Sequence, residues 1–384
     1  MALDSETFEQ LLDTIRRFVR EKLIPNEVRL STEDAVPPEI VEEMRALGLF
    51  GLTVPEAYGG IGLTNAEEVQ VLFELCRTSP AFRSVIGTNI GIGSQGIVLD
   101  GTDAQKQAYL PKIASGEMVI SFALTEPDSG SDAASLRTTA IRDGDVYVVN
   151  GTKRFITNAP HAQAFTLMAR TDPSKKGASG VSAFIVDRDL PGISLGKLNK
   201  KMGQQGAHVC DVIFENCRVP ADAIIGGKEN VGFKTAMKVL DRGRIHIAAV
   251  CVGVAERLIE ESLSYALERK QFGERIADFQ LVQAMLADSR AEAYAARAMV
   301  MDAACRRDAG EKIGTEASCC KYFASEMVGR VADRAVQIHG GAGYMADYPV
   351  ERFYRDVRLF RIYEGTSQIQ QLVIARNMIR DAEG

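Results

Sequence analysis

The chain has 384 residues, of which 46% are hydrophobic and 25% are charged, and it carries a formal net charge of −6. A chain this long exceeds what one hydrophobic core organises, so we expect two or three domains of an ordinary globular protein. The acidic balance argues against nucleic acid or an anionic membrane as a partner, and no apolar run approaches the roughly 18 residues of a membrane span. Seven cysteines without zinc spacing or a disulfide framework predict reduced thiols in the cytoplasm and no metal site.

Residues 1–120 are predicted to form an N-terminal α-helical domain. The first helix carries an amphipathic stripe that ends at Pro25, and further helical patterns cover residues 38–47, 65–76 and 104–114. Residues 91–96 match the pattern G-x-G-x-x-G, which binds dinucleotides when it follows a strand in a βαβ unit. No such strand is evident, so we expect these glycines to permit close helix packing instead.

Residues 121–228 are predicted to form a middle antiparallel β domain. Asp143-Gly144 and Asn150-Gly151 are typical two-residue hairpin turns, and they are flanked by predicted strands at 138–141, 146–149 and 154–157. Further short strands are predicted at 164–169, 181–186 and 209–214. A meander of this kind excludes a doubly wound α/β fold.

Residues 229–384 return to a helical pattern and are predicted to form a C-terminal helical bundle domain. Long helices are expected at about 233–269, 276–309 and 314–338. Gly340, Gly341 and Gly343 interrupt the pattern and lead into a final loop and helix. The order of helices, then strands, then helices defines an α+β chain.

A carboxylate followed by a glycine precedes the last helix. Ser367 and Gln370 have the S-x-x-Q spacing of a capping box, and apolar residues continue beyond them at helical spacing. Gly365 permits the backbone to approach whatever lies in front of the helix. We therefore expect Glu364 on a fixed turn near the positive end of a helix, where it either complements the helix dipole or serves a site.

A second stretch, Phe122-Ala-Leu-Thr-Glu-Pro-Asp-Ser-Gly-Ser-Asp132, lies far upstream of the first. Together the two stretches resemble the two signatures of the acyl-CoA dehydrogenase family, and the resemblance extends over nearly the whole chain. It implies the fold of that family, with an N-terminal helical domain, a middle antiparallel β domain and a C-terminal four-helix bundle. It also implies FAD as the cofactor and an acyl-CoA as the substrate.

The resemblance implies that Glu364 removes the α proton of the thioester while the β hydride passes to flavin N5, which gives the trans-2-enoyl-CoA. Tyr363 and Gly365 would contact the substrate. Relatives such as isovaleryl-CoA dehydrogenase place the base on the long helix, where this chain has Gly243, so no second carboxylate competes. Asp241 and Arg244 would contact CoA, although their spacing alone also fits a surface ion pair.

Other residues resemble the FAD contacts of the family. Phe122, Leu124 and Thr125 match the strand along the isoalloxazine ring. Ser131 matches a residue that touches flavin phosphate and substrate, although the same residues also suit a polar turn. The family usually has a tryptophan against the flavin in the segment that contains Phe155. This chain has no tryptophan, so Phe155 would supply the aromatic face. The remaining implied contacts are Thr157, Arg269, Gln271, Phe272, Gln280, Gln337, Gly340, Gly341, Thr366 and Gln368.

The segment from Arg269 to Gly273 resembles one that reaches the FAD of a neighbouring subunit, with Arg269 beside the pyrophosphate. This implies a homotetramer. Taken alone, the Arg269-Lys270 pair fits a simple partner of a helix end. His339 is expected to be structural, because a lone histidine is more often a satisfied packing residue than a catalyst.

The sequence does not determine which acyl-CoA is the substrate. The leading interpretation is a dehydrogenase of short- to medium-chain acyl-CoAs, straight or branched, whose electrons leave to an electron-transferring flavoprotein. Arg83 lies in an Arg-Ser setting similar to that of glutaryl-CoA dehydrogenase, where an arginine holds a distal carboxylate, but a structural or surface role also fits. The resemblance is also compatible with an acyl-CoA oxidase, or with a non-catalytic protein that binds acyl-CoA or flavin. Glutamate at 364 disfavours a nitroalkane oxidase, which resembles this scaffold but uses aspartate.

Overall fold

Seven α-helices occupy residues 5–115 in the computed structural model, which describes residues 2–383. Thr64 and Thr102 begin two of them with capping boxes, which they form with Glu67 and Gln105. The helices predicted in this region are confirmed. They are α1 (Ser5–Phe18), α2 (Glu27–Glu33), α3 (Pro38–Ala46), α4 (Asn65–Leu75), α5 (Pro80–Ile90), α6 (Gln95–Asp100) and α7 (Asp103–Ser115).

The glycines of residues 91–96 lie between α5 and α6, where no strand precedes them. A Cβ on Gly91 would lie 2.8 Å from the carbonyl oxygen of Gly87, and a Cβ on Gly93 would lie 2.6 Å from that of Ile120. These glycines therefore permit close backbone packing, as predicted, and do not form a dinucleotide-binding βαβ loop.

A seven-stranded sheet follows the helices. Its strands are β1 (Ile120–Ala123), β2 (Thr139–Asp143), β3 (Val146–Thr157), β4 (Ala164–Arg170), β5 (Val181–Asp187), β6 (Ile193–Leu195) and β7 (Val209–Pro220). The strand order is β1-β4-β2-β3-β7-β6, with β5 paired to β4. Most neighbours are antiparallel, as predicted, but β1 and β2 each meet β4 in parallel. The sheet is therefore mixed at the β1 edge, which is the edge that carries the upstream signature.

The predicted hairpin turn at Asn150-Gly151 is wrong. Both residues lie inside β3, which is one strand where the sequence predicts two. A register shift against β7 between Val149 and Gly151 marks a bulge at this point. Gly151 has a φ of 150°, and a Cβ there would lie 2.4 Å from Oγ1 of Thr138. The glycine thus serves a close approach between chain segments. The other predicted hairpin does form between β2 and β3, but its two turn residues are Gly144 and Asp145, one position later than predicted, because Asp143 still pairs with Val146.

The last part of the chain is built on long helices, as predicted. Its elements are α8 (Gly232–Glu268), the hairpin strands β8 (Lys270–Gln271) and β9 (Glu274–Arg275), α9 (Gln280–Asp308), α10 (Gly314–His339), α11 (Val350–Val357) and α12 (Ser367–Glu383). Alanine and valine dominate the shared core of α8, α9 and α10, and α12 packs on α10. These small side chains let the helices pack closely. The domain boundaries at residues 120 and 228 stay a prediction.

Within the described residues, all seven cysteines are unpaired, including the vicinal Cys319 and Cys320. This agrees with the expectation of reduced thiols, while the cytoplasmic location inferred from them stays a prediction. No helix in the described part of the chain is long and apolar enough to cross a membrane.

Candidate active site

Glu364 lies on a tight turn between α11 and α12. Its φ is 52° and that of Gly365 is 90°, so both residues adopt the left-handed conformation, which is unfavourable for glutamate. The side chain of Gln370 donates to the carbonyl oxygens of Glu364 at 3.1 Å and Gly365 at 3.2 Å. Buried Lys321 donates from Nζ to the same Gly365 carbonyl at 2.6 Å. The turn is held from two sides, which fixes the direction in which Glu364 points.

The predicted capping box of Ser367 and Gln370 is wrong. Thr366 caps the helix, because its Oγ1 accepts the backbone N–H of Ile369 at 3.2 Å. Ser367 donates instead from Oγ to Glu326 on α10 at 2.6 Å. Serine and threonine are both good caps, so the sequence alone does not decide which of two adjacent residues takes the role.

The carboxylate of Glu364 is the group that the turn presents. Its Oε2 atom is buried and has no hydrogen-bond partner among the described residues. Burial raises the pKa of Glu364, against the opposing positive charges of Arg83, Lys321 and Arg244. Desolvation thus makes this carboxylate a stronger base than an exposed one, which is the direction expected from the sequence.

Gly243 on α8 lies directly beside this carboxylate. A Cβ on Gly243 would lie only 2.0 Å from Oε2 of Glu364. A side chain at position 243 and the carboxylate of Glu364 would therefore compete for the same volume. Because position 243 is a glycine, Glu364 is the carboxylate that occupies that space.

A cavity of about 390 Å³ opens in front of Glu364, between the helical parts of the chain and the sheet. Its wall is mostly apolar with a few polar groups, as in typical small-molecule sites. The structure brings ten of the predicted site residues together on this wall. They are Phe122, Leu124, Thr125, Ser131, Phe155, Thr157, Arg244, Tyr363, Glu364 and Gly365.

The sheet side of the cavity fits the flat ring system of FAD. Phe155 has a φ of 59° and is 60% exposed, so its ring is uncovered where the cavity passes. The neighbouring segment is rigid, because the buried Nζ of Lys153 donates to the Leu124 carbonyl at 3.0 Å and to Glu126 at 2.7 Å. The guanidinium of Arg154 lies over the Phe155 ring, 5.6 Å from its centroid. The exposed ring of Phe155 and the hydroxyl of Thr125, which both line the cavity, would accept a stacked heteroaromatic ring with polar edges.

Asp241 and Arg244 form an ion pair in which Nη1 of Arg244 donates to Oδ1 of Asp241 at 2.7 Å. Arg244 is buried and lines the cavity, so the pair is not the surface pair that its spacing also allows. Asp241 itself does not line the cavity. Burial raises the pKa of Asp241, although Arg244 and Arg307 oppose the shift. The pair places a fixed positive group on the cavity wall.

The other predicted FAD contacts do not line this cavity. One set is exposed at the end of the bundle where α8 and α10 end and α9 begins, and Phe272 in the β8–β9 turn is 94% exposed. These residues do not meet the cavity of their own chain, so their proposed role depends on a second subunit. The set consists of Arg269, Gln271, Phe272, Gln280, Gln337, Gly340 and Gly341, while Thr366 and Gln368 lie at the start of α12.

Sequence reasoning missed two buried basic residues, Lys321 beside Glu364 and His246 beside Arg83 of the cavity wall. Burial lowers the pKa of Lys321 to about 8, and His246 on α8 bonds both Arg83 and Glu68. The sequence does carry a signal for them: each is a charged or polar residue among the apolar residues of a helix face that packs in the core. Such residues are seldom buried without a partner, which indicates a specific role. His339 is buried, and its Nδ1 donates to the Ala335 carbonyl at 2.8 Å, which agrees with its expected structural role.

Family models of three acyl-CoA dehydrogenase domains match the chain, the N-terminal domain at residues 5–117, the middle domain at 121–217 and the C-terminal domain at 230–379. The 3-(aryl)acrylate reductase of Clostridium sporogenes is 42% identical over 376 residues, which cover 98% of this chain and 99% of that protein. The caffeyl-CoA reductase-Etf complex subunit CarC of Acetobacterium woodii is 41% identical over 378 residues, which cover 97% and 99%.

Solved structures share the whole fold. Butyryl-CoA dehydrogenase from Megasphaera elsdenii has a TM-score of 0.94 at 34% identity, over 99% of this chain and 100% of that one. The glutaryl-coenzyme A dehydrogenase glutaryl-CoA complex has a TM-score of 0.92 at 33% identity, over 99% of this chain and 96% of that one. PigA with FAD and proline has a TM-score of 0.93 at 26% identity, over 98% of this chain and 99% of that one. The predicted fold class and cofactor are thereby confirmed: the chain belongs to the acyl-CoA dehydrogenase family, and it is an oxidoreductase that acts on acyl-CoA with FAD as its cofactor.

Proposed function

We propose that this chain dehydrogenates a short- to medium-chain acyl-CoA, straight or branched, to the trans-2-enoyl-CoA, with Glu364 as the base. The observation that carries the proposal is the buried Oε2 of Glu364, which has no partner among the described residues and belongs to a residue of the cavity wall. A carboxylate with a raised pKa holds an abstracted proton better than an exposed one does. Bound FAD supplies the acceptor for the β hydride at N5.

The residues of the chain would each contribute to that reaction. Glu364 takes the α proton, and its backbone N–H, which donates to no described residue, is available to the thioester carbonyl oxygen. Phe122 and Phe155 exclude water from the reacting carbons. Arg244, held by Asp241, offers a positive group to the CoA portion.

The direct test is anaerobic mixing of the FAD-loaded protein with a panel of straight and branched acyl-CoAs. We expect the visible absorbance of the oxidised flavin to disappear with at least one short or medium chain. Because some relatives are named reductases, the chemically reduced protein should also be mixed with the matching 2-enoyl-CoA, which measures the reverse direction. A flavin that stays oxidised with every acyl-CoA, and stays reduced with every enoyl-CoA, would contradict the proposal.

We propose an electron-transferring flavoprotein as the electron acceptor. The support is the relative named as a subunit of a reductase-Etf complex, which spans nearly the same length. In steady state, turnover should depend on added electron-transferring flavoprotein. Rapid hydrogen peroxide formation in air without it would identify an acyl-CoA oxidase instead. A purified protein that is colourless and cannot be reconstituted with FAD would favour a non-catalytic protein that binds acyl-CoA.

We also propose that the exposed bundle end completes the FAD site of a second chain in a homotetramer. A phenylalanine that is 94% exposed, beside Arg269 and the glycines after α10, is what an intermolecular contact with a cofactor would need. Phe272→Ser and Arg269→Ala should lower the FAD content of purified protein, measured by absorbance, and light scattering should give a tetramer for the unaltered chain. A monomer fully loaded with FAD would contradict this.

A carboxylated acyl-CoA is a second candidate substrate, and the position of Arg83 favours it. Arg83 is 8% exposed and lines the cavity, so it is not the surface arginine that the sequence also allowed. The glutaryl-CoA complex among the similar structures is consistent with a dicarboxylic acyl group in this fold. Including succinyl-, glutaryl- and adipyl-CoA in the panel decides between the candidates.

A further inference from the structure

Lys321 on α10 is fully buried, with an exposed fraction of 0%. Its Nζ donates one hydrogen bond, to the carbonyl oxygen of Gly365 at 2.6 Å. Gly365 follows Glu364 in the left-handed turn that carries the proposed base. A buried ammonium whose one acceptor is a neutral carbonyl is unfavourable unless a negative charge lies near it. The source of that negative charge decides what Lys321 does.

Glu364 is the carboxylate available to Lys321. Burial lowers the pKa of Lys321 to about 8, so the ammonium keeps its charge at pH 7, and the carboxylates of Glu364 and Glu326 oppose the shift. Glu326 is already paired with Arg361, at 3.1 Å. The other titratable groups around the two charges are neutral at pH 7, because burial raises their pKa values: the thiols of Cys76 and Cys251 and the hydroxyl of Tyr363. The charge of Glu364 therefore remains for Lys321.

Two guanidinium groups, those of Arg83 and Arg244, also face Glu364. Together with the ammonium they oppose the effect of burial, which raises the pKa of Glu364. Arg244 has a counter-charge of its own in Asp241, at 2.7 Å. Arg83 bonds His246 through Nε at 2.8 Å. Within the described part of the chain, neither guanidinium donates to the turn at residues 363–366, whereas the ammonium does. The lysine is therefore the cation that is fixed to the segment carrying the base.

We propose that Lys321 is a positioning residue for the base: it fixes the turn through the Gly365 carbonyl, and its positive charge balances the Glu364 carboxylate across that turn. Only an ionised carboxylate can take the α proton, whereas burial alone favours the protonated form. The ammonium thus keeps more of Glu364 ionised at neutral pH. Lys321 does not line the cavity, so it acts through Glu364 and not on the substrate. The inference deepens the proposed function and rests on it.

A purely structural role is the competing explanation, in which Lys321 only anchors the turn to α10. Gln370 on α12 provides a matched control for that role. Its side chain donates to the carbonyl oxygens of Glu364 at 3.1 Å and Gly365 at 3.2 Å, but it carries no charge. Both residues hold the turn, and only the lysine can change the ionisation of the base. The dependence of the reaction on pH therefore separates the two explanations.

The first test is the rate of flavin reduction between about pH 5 and pH 8, measured by anaerobic stopped flow on the FAD-loaded protein with a reactive acyl-CoA. The rate should rise with pH as Glu364 ionises and then reach a plateau. Removal of a positive charge raises the pKa of a nearby carboxylate. Lys321→Met should therefore move the rising limb to higher pH and lower the plateau about tenfold. Gln370→Leu should lower the plateau and leave the limb in place.

Lys321→Gln is a second variant that removes the charge but keeps a polar end in the buried site. Its rising limb should move to higher pH as that of Lys321→Met does, because both variants remove the same charge. The glutamine variant also replaces the methionine variant in every measurement if the latter does not fold.

The second test needs no substrate and compares denaturation temperatures of the FAD-loaded protein at pH 7. Lys321→Met should lower the temperature more when residue 364 is the natural glutamate than in a Glu364→Gln background, because only glutamate is left as an unbalanced buried charge. The difference should disappear in acid, where Glu364 is protonated. Gln370→Leu should lower the temperature equally in both backgrounds. A lysine variant that folds only beside Glu364→Gln would show the same coupling.

A rising limb that stays in place in both lysine variants would overturn the inference. Equal losses of denaturation temperature in the two backgrounds would overturn it as well, and in either case the proposed function would stand. Absence of flavin reduction with every acyl-CoA would instead reject the proposed function and the positioning role with it. The denaturation experiment would still show whether the two charges are coupled.

Discussion

Gly243→Ala should separate the stability of this protein from its activity. The added Cβ would lie 2.0 Å from Oε2 of Glu364, whereas distances under 3.0 Å are essentially never seen for real Cβ atoms. The backbone of α8 is held in the bundle core, so the flexible carboxylate must retreat by about 1 Å. A misplacement of that size costs on the order of 100-fold in rate, or about 2.7 kcal/mol of activation free energy.

The folded state should tolerate this change. Alanine replaces glycine in a helix interior, which favours the helix by up to about 1 kcal/mol. We therefore expect thermal denaturation of Gly243→Ala at or above the temperature of the unaltered protein, and stopped-flow flavin reduction slowed about 100-fold. Unslowed reduction would refute the reasoning, because it would mean that the carboxylate does not need the space beside position 243.

Gly253→Ala on the same helix is the matched control. Its Cβ would lie 2.8 Å from the carbonyl oxygen of Phe73 and 3.0 Å from Cβ of Cys76. Neither atom belongs to a flexible side-chain end, so the strain falls on the packing of α4 against α8 and should cost about 1–3 kcal/mol of stability. The folded fraction should keep its rate of flavin reduction. The two glycines thus predict opposite outcomes in the two assays.

Buried charges give three further predictions. Lys153→Met leaves Glu126 buried without its cation and should lower the free energy of unfolding by about 3–5 kcal/mol in urea titrations, whereas an unchanged midpoint would contradict the role given to this pair. Lys321→Met removes the hydrogen bond to the Gly365 carbonyl, which helps to hold the Glu364 turn. The variant should reduce its flavin about tenfold more slowly while FAD stays bound. Loss of FAD from the variant would contradict this and would place Lys321 in cofactor binding. Burial raises the pKa of Glu364 above 4.5, so ionisation of its carboxylate destabilises the folded state at neutral pH. Glu364→Gln removes that charge and should denature at a higher temperature than the unaltered protein at pH 7. This difference in denaturation temperature should vanish below about pH 4.5, where the carboxylate is protonated in both the folded and the unfolded state.

The elements of this fold were predictable where local signals are strong. Long apolar stripes predicted α8, α9 and α10 to within a few residues, because helix periodicity accumulates over many turns. Glu364 was found because a carboxylate, a glycine and a helix start occur together and match a known signature. Its burial and its place on the cavity wall agree with that prediction, while its role as the base stays a proposal.

Short signals were less reliable. Asn150-Gly151 has the composition of a turn, but the strand continues because Gly151 permits a close approach to Thr138. The cap of α12 fell on Thr366 and not on Ser367, since adjacent residues of similar chemistry compete for one position. In both cases tertiary contacts decided between local conformations of similar free energy.

The Arg83–His246 contact could not be predicted from the sequence. The two residues are 163 positions apart, and nothing in either local stretch indicates the partner. The bundle end is a related case, because the exposed Phe272 gives no sign, within one chain, of what would cover it. Contacts between distant segments, or between subunits, become visible only when the chain is folded.

Glu364→Gln tests the central claim most directly. The amide keeps nearly the size of the carboxylate and cannot take the α proton, so purified protein should retain its FAD while anaerobic reduction by a good acyl-CoA slows by about 1,000-fold or more. Reduction of the bound flavin at the rate of the unaltered protein would contradict the assignment of Glu364 as the base.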